Sequence, residues 1–144
     1  MVLDNLSDIE ILGLTIYGEA RGESILGQIA VGCVIRNRSI QRVKTFEQVC
    51  LESYQFSCWN KSDPNYPMLL NIADGLAAKN TPKDKYLIQC MYVAVGIAQK
   101  AIIDITKGAD HYMTKELYSS GDRPKWADKV HNALTIDRHI FFQV

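Results

Sequence analysis

Between two stretches of helical apolar spacing the chain runs Tyr17-Gly18-Glu19-Ala20-Arg21-Gly22-Glu23. This sets an acidic side chain at the end of one helix, beside two glycines and just ahead of the next. A carboxylic acid at such a junction is flanked by apolar helix faces and still opens towards a cleft. Half buried in that way, it can keep a proton long enough to donate it to a leaving group. The same residues also fit a plainer role, with Glu19 and Glu23 as solvated caps around a tight turn.

The helices on either side can be read from their ends. Leu6-Ser7-Asp8-Ile9-Glu10-Ile11 has a capping serine, a Glu three residues on as its box partner, and Leu6 placed to staple onto Ile11. A helix follows to about Ala20. The next, roughly Ser24 to Arg38, puts Leu26, Ile29, Ala30, Cys33 and Val34 on one face and ends in Arg36 and Arg38. Thr45-Phe46-Glu47-Gln48-Val49 predicts a short third helix with a Thr–Gln cap. Residues 53–67 mix aromatics with hydrogen-bonding side chains, and Pro64 and Pro67 are expected to break any helix there. Helical patterns return at about Met68–Ala78 and Pro82–Ile105, the second expected to be the longest and the central buried helix. Beyond Lys107-Gly108 the chain is irregular to Pro124, with a short helix expected around Lys125–Ala133 and an extended tail from Ile136 to Phe142. The fold class is mainly α: a single helical domain over residues 1–144, with a small loop or hairpin region bordering a cleft.

Charge and composition exclude several functions. Sixteen basic residues balance sixteen acidic ones and no dense Lys/Arg run appears, so no nucleic-acid partner is expected. Met1-Val2-Leu3-Asp4-Asn5-Leu6 lacks the positive start and apolar core of a secretory signal. The most apolar run, Tyr86 to Ala98, is interrupted by Gln89 and too short to span a bilayer. The expectation is a monomer made in the cytoplasm, with no stable membrane association. Four cysteines form no Cys-x-x-Cys pair. Cys33 and Cys90 read as core residues; Cys50 and Cys58 flank a loop and could pair, although a cytoplasmic origin favours free thiols. The spacings of His111, His131 and His139 match no metal motif, so neither a metal nor a cofactor is expected.

Two further segments carry chemistry. Tyr54-Gln55-Phe56-Ser57-Cys58-Trp59-Asn60 has the composition of a sugar site, since rings such as Phe56 and Trp59 stack on pyranose faces while Gln55, Ser57 and Asn60 bond hydroxyls or acetamides. The rings could equally anchor the loop in the core. In Asp110-His111-Tyr112-Met113, either His111 or Tyr112 could position substrate opposite Glu19, or serve only as packing. Trp126 and Phe141 could be cleft walls, with core packing the simpler role.

Taken in order, several blocks resemble the spore-cortex-lytic (SleB-like) cell-wall hydrolase family: Ile16 to Glu23; Gly27-Gln28-Ile29-Ala30-Val31 with Val34-Ile35-Arg36-Asn37-Arg38; Gln55 to Trp59; Ala109 to Tyr112; Pro124-Lys125-Trp126; and Ile136 to Phe142. The resemblance covers about Leu12 to Phe142. It implies an α+β lysozyme-like fold and cleavage of peptidoglycan glycan strands, with Glu19 as the general acid. It makes Arg21 and Glu23 supporting residues, Glu23 pairing with Arg21 or capping the second helix. Members of that family act on spore cortex or cell wall, and related domains occur in phage lysis proteins. The expected lack of a signal peptide and of a wall-binding repeat favours a phage endolysin, released by a holin that opens the membrane, over a spore enzyme. The chain departs from the family's closing block, where Asp137 and Phe142 replace a usual Gly and Tyr, and Met113 stands where a second His is frequent.

Ordinary glycoside hydrolysis needs two carboxylates, about 5–5.5 Å apart for retention or about 6.5–9.5 Å for inversion. Only Glu19 stands out, which favours a lytic transglycosylase, where the muramoyl 6-hydroxyl replaces water. The alternatives are a water-using muramidase with Glu23, Asp63, Asp110 or Asp122 as second carboxylate, an N-acetylmuramoyl-L-alanine amidase, and a peptidoglycan-binding module without catalysis.

Overall fold

In the computed structural model, which describes residues 2–144, the other helices gather around α1 (Asp8–Ala20). Every residue from Ile11 to Tyr17 is buried, the expected state of a helix that is apolar all round. Its start is the anticipated capping box: Ser7 Oγ accepts from the Glu10 amide at 3.1 Å, and Glu10 Oε1 accepts from the Ser7 amide at 2.8 Å. α5 (Lys85–Ala98) lies closely against α1 because Gly13 lets Met91 and Ala94 in. α2 (Ile25–Arg42) packs on both, with Gly32 against Ile97. α3 (Phe46–Leu51) carries the Thr45–Gln48 box, and Asp8 accepts from the Phe46 and Glu47 amides at 3.2 and 2.7 Å.

α1, not α5, is therefore central, and α2, not α5, is the longest of the described helices. α5 stops seven residues short of Ile105 because Lys100 turns left-handed (φ 58°) in a Schellman closure. The amides of Ala101 and Lys100 bond back to the carbonyls of Gly96 (2.9 Å) and Ile97 (3.2 Å). The apolar pattern outlasts the helix because Ile102 folds back on Gly96, where a Cβ would stand 2.5 Å from Ile102 Cδ1. Buried Arg36 then donates to the carbonyls of Ile97 and Ile102 at 3.2 and 2.7 Å. α4 (Tyr66–Ala77) begins earlier than expected, with Pro67 in its first turn, where no amide proton is needed.

β1 (His111–Thr114), β2 (His131–Ile136) and β3 (His139–Gln143) form an antiparallel sheet in the order β1-β3-β2, with Tyr112 opposite Phe141. α6 (Lys115–Ser119) and a 3-10 turn (Lys125–Lys129) fill the connection from β1 to β2. The helix expected to reach Ala133 is only that turn, since residues from His131 onward pair with β3. Phe141 joins the main core while Phe142 joins a small second one with Met113 and Ala127. The sheet thus separates two apolar clusters by its two-residue alternation.

The turn between β2 and β3 is Asp137-Arg138, and Asp137 has a left-handed φ of 52°. Glycine would sit there without strain. Asp137 instead ties the turn to the start of α2, accepting from the Ser24 amide (3.0 Å) and hydroxyl (2.6 Å). All four cysteines are buried and free. Among the described residues no helix is long and apolar enough to cross a membrane.

Burial pushes the Cys33 thiol up to about 11 and those of Cys50 and Cys90 up to about 12. Their contribution to stability is complete below about pH 9, the ordinary thiol value, and declines as pH rises towards 11–12, because the unfolded chain gives up those protons first. Thermal melts should fall steadily above pH 9 and be flat in this respect between pH 7 and 8. Asp137→Ala should lower stability by about 1–3 kcal/mol in denaturant titrations, through the lost charged bonds to Ser24. Asp137→Gly should recover the part of that loss due to the backbone; equal losses in both variants would remove the strain argument.

Candidate active site

Glu19 lies in the last turn of α1, half buried, and both of its oxygens are occupied. Oε2 accepts from the Cys58 amide at 3.2 Å; Oε1 accepts from the Tyr112 hydroxyl at 2.6 Å. A carboxylate at the C-terminal end of a helix faces the negative end of the dipole, so donors must come from elsewhere. One comes from the aromatic loop and one from the sheet. The Cys58 donor arrives because Gly18 has no side chain: a Cβ there would stand 2.8 Å from Cys58 Cβ and Sγ and 3.0 Å from Leu69 Cδ1.

Tyr112 is the residue of its block that reaches Glu19. Burial and then the neighbouring carboxylate push its phenol well above the ordinary value, so it stays protonated and donates. His111, one position earlier on β1, projects from the opposite face. Its Nδ1 lies 2.9 Å from Asp110 Oδ1, and its ring packs on Trp126 (5.0 Å) and Phe142 (6.3 Å). Strand alternation thus places His111 in the second apolar cluster instead of opposite Glu19. Burial lowers its pKa, leaving a neutral ring that packs.

In the aromatic loop, Phe56 is 2% exposed under the Arg38 guanidinium and is core, not a sugar platform. Gln55 and Ser57 are exposed, and Gln55 Oε1 lies 3.5 Å from Arg38 Nη1. Trp59 is partly buried, its indole N–H donating to Thr15 Oγ1 at 2.9 Å, with part of the ring lining a concavity beside the loop. Phe141 is buried in the main core, and Trp126 is 39% exposed over His111.

Glu23 neither pairs with Arg21 nor caps α2, a task Ser24 performs. Its nearly buried carboxylate instead holds Arg138 (3.2 and 3.3 Å) and His139 Nδ1 (3.2 Å). Arg21 turns the other way, to Asn65 Oδ1 at 2.7 Å and over the Tyr17 ring at 5.2 Å. The reason is directional: the two side chains leave the corner on different sides, one towards the sheet turn and one towards α4. His139 also meets Tyr112 edge-on, with ring centroids 5.4 Å apart. Glu23, His139 and Tyr112 thus form a continuous packed line to Glu19. Sequence reading missed three parts of it: the Cys58 amide, His139 as a neighbour of Tyr112, and Thr15 as the anchor of Trp59. The tail block from Ile136 to Phe142 was the available signal for His139; a backbone amide leaves none.

A family model for cell wall hydrolases matches residues 22–142. The chain belongs to the cell wall hydrolase family and is an enzyme of that class. The matched span begins three residues after Glu19, which lies outside it. Spore cortex-lytic enzymes of Bacillus cereus are 30% identical over 139 residues, covering 94% of this chain and 44% of theirs. The chain thus spans less than half the length of these relatives. Its fold matches the catalytic domain of the germination-specific lytic transglycosylase SleB from Bacillus anthracis (TM-score 0.63, 24% identity, 94% of this chain and 93% of that one). The catalytic domain of the Bacillus cereus SleB protein matches similarly (TM-score 0.61, 26% identity, 97% and 91%). The expected lysozyme-like α+β class is therefore found, mostly helical with one small sheet.

Gly18→Ala tests the close approach that brings Cys58 to Glu19. Alanine is the better helix former by about 1 kcal/mol, so a neutral site would gain stability. The melting temperature should instead fall, with a change in tryptophan fluorescence as the loop carrying Trp59 is displaced; a raised melting temperature with unchanged fluorescence would contradict the packing.

Proposed function

We propose that this chain cleaves peptidoglycan glycan strands between N-acetylmuramic acid and N-acetylglucosamine as a lytic transglycosylase, residues 1–144 acting as one catalytic domain. The observation that carries the reading is a single carboxylate, Glu19, held by two donors at a helix corner, while Glu23, Asp110 and Asp63 have other partners. Glu23 holds Arg138 and His139. Asp110 Oδ1 lies between His111 Nδ1 and the Val144 amide, each at 2.9 Å. Asp63 Oδ1 accepts from the Asn65 amide at 2.8 Å, and Asp122 is exposed on the segment after α6. A muramidase would need a second carboxylate placed to activate water, and Glu23 and Asp110 are already held by other partners. Among the described residues no three His, Cys, Asp or Glu side chains gather as an amidase zinc site would require.

One acid suffices when the substrate supplies the nucleophile. Protonated Glu19 gives its proton to the glycosidic oxygen as the bond to the muramoyl C1 breaks. The Glu19 carboxylate then takes the proton of the muramoyl 6-hydroxyl as that oxygen bonds to C1. The ring closes as a 1,6-anhydro end, and the acid is restored with no water consumed. Tyr112 and the Cys58 amide fix the carboxyl group through both half-reactions and steady its anionic form between them. Gln55, Ser57 and Trp59 border the acid's loop and are the candidates for contacts to hydroxyls and acetamides. The cellular setting in this reading is phage-driven lysis by a monomer that reaches the wall after a holin opens the membrane. Lysis on co-expression with a holin, and none on expression alone, is the expected outcome.

Mass spectrometry of fragments released from purified peptidoglycan tests the chemistry. The wild type should yield anhydromuramoyl ends, lighter by one water than reducing ends, and Glu19→Gln should yield none while melting like the parent. Reducing ends, or an active Gln variant, would overturn the reading. Tyr112→Phe should keep the fold and lower kcat about 10–100-fold, the worth of one hydrogen bond to a charged group.

A further inference from the structure

The turn that follows α3 contains an exposed aromatic in a conformation that costs the protein stability. The Gln55 amide bonds to the Glu52 carbonyl at 3.2 Å, closing a four-residue turn in which Tyr54 takes the third position with φ 63°. Ser53 before it is not left-handed, so this is the turn pattern that normally reserves that place for glycine. Tyr54 is nevertheless 86% exposed, and among the described residues its ring and hydroxyl make no hydrogen bond or ring contact. A bulky residue kept in a strained backbone with no internal partner calls for a partner from outside.

The surroundings define that partner. Tyr54 borders a concavity of about 430 Å³, shared with Glu52, Trp59, Asn60, Lys61 and Ser62. The volume is in the range of small-ligand sites. Its walls combine two aromatic rings with amide, hydroxyl and ammonium groups, the mixture that suits a ring with one apolar face and polar edges. Trp59 is held from behind by Thr15, so its exposed edge is a fixed wall. The Glu52 carboxylate is already taken by Arg42 (3.3 Å) and Lys44 (3.8 Å), leaving Ser53, Asn60, Lys61 and Ser62 as the rim's other polar side chains, none with a hydrogen bond among the described residues. Glu19 does not line this concavity, but Trp59 does, and the preceding residue, Cys58, is the one whose amide holds Glu19. The pocket therefore adjoins the loop that holds the acid.

We propose that Tyr54, Trp59 and Asn60 form a saccharide subsite that grips an N-acetylhexosamine ring of the strand away from the bond that is cleaved. Tyr54 stacks on the pyranose face, and Asn60 bonds the acetamide. The proposal rests on the glycan-cleaving reading, because it takes its ligand class from it.

The test uses the full chain carrying Glu19→Gln and soluble glycan strands freed of their stem peptides, followed by calorimetry. Adding Tyr54→Ala should weaken binding about five- to tenfold, and Tyr54→Trp should restore it. Tyr54→Gly should melt higher than the parent, since the strain is relieved, yet bind as weakly as the alanine variant. In the active enzyme Tyr54→Ala should raise KM and leave kcat unchanged. Equal binding by the Tyr54→Ala and Tyr54-intact proteins would overturn the subsite while leaving glycan recognition in place. Absence of binding by the Tyr54-intact protein would instead remove the glycan reading itself, and the subsite with it.

Discussion

The Glu19 carboxyl group needs two donors that its own helix cannot supply, and much of the molecule is arranged around meeting that need. α1 is buried along its length and ends at the acid. A half-buried charge there is costly unless it is paired or hydrogen-bonded. The Cys58 amide reaches it across Gly18, and the Tyr112 hydroxyl reaches it from the first strand. The loop after α3 and the small sheet, far apart in the chain, are thereby fastened to the same atom pair. Their own anchors follow from this: Trp59 on Thr15 behind the loop, and His139, Arg138 and Glu23 behind the sheet.

The sheet is small and does two jobs by alternation alone. Tyr112 and Phe141 face the helices, while His111, Met113 and Phe142 face the second cluster under Trp126. Shifting the register by one residue would exchange Tyr112 for His111 and leave the acid with one donor. Asp137 secures that register by binding the turn to the first residues of α2. The left-handed turn at Asp137 is thus accompanied by a contact that a glycine could not make.

What could be read in the sequence was what local rules govern. The capping boxes at Ser7–Glu10 and Thr45–Gln48, the helix ending at Ala20 and the acid at its end are encoded in a few adjacent residues. So were the two blocks that reach Glu19, Gln55 to Trp59 and Ala109 to Tyr112. The roles within each block were harder to read, because burial and strand facing are tertiary properties. Phe56 and Trp59 are both aromatic, yet one is core and the other a wall; His111 and Tyr112 are neighbours, yet only one meets the acid. The overlong reading of α5 arose because Ile102 and Ile105 continue an apolar pattern after Lys100 has already turned the chain. Glu23 was misassigned to a sequence neighbour when its partners lie more than a hundred residues away, at Arg138 and His139.

In the proposed reaction Glu19, held by Cys58 and Tyr112, is the group that meets the scissile bond. The most direct measurement is a crystal structure of the Glu19→Gln protein with a peptidoglycan tetrasaccharide bound. A glycosidic oxygen should lie within about 3 Å of the substituted side chain, with the Tyr112 and Cys58 bonds retained. A glycan bound with its linkages away from that side chain, or lying nearer another carboxylate, would contradict it.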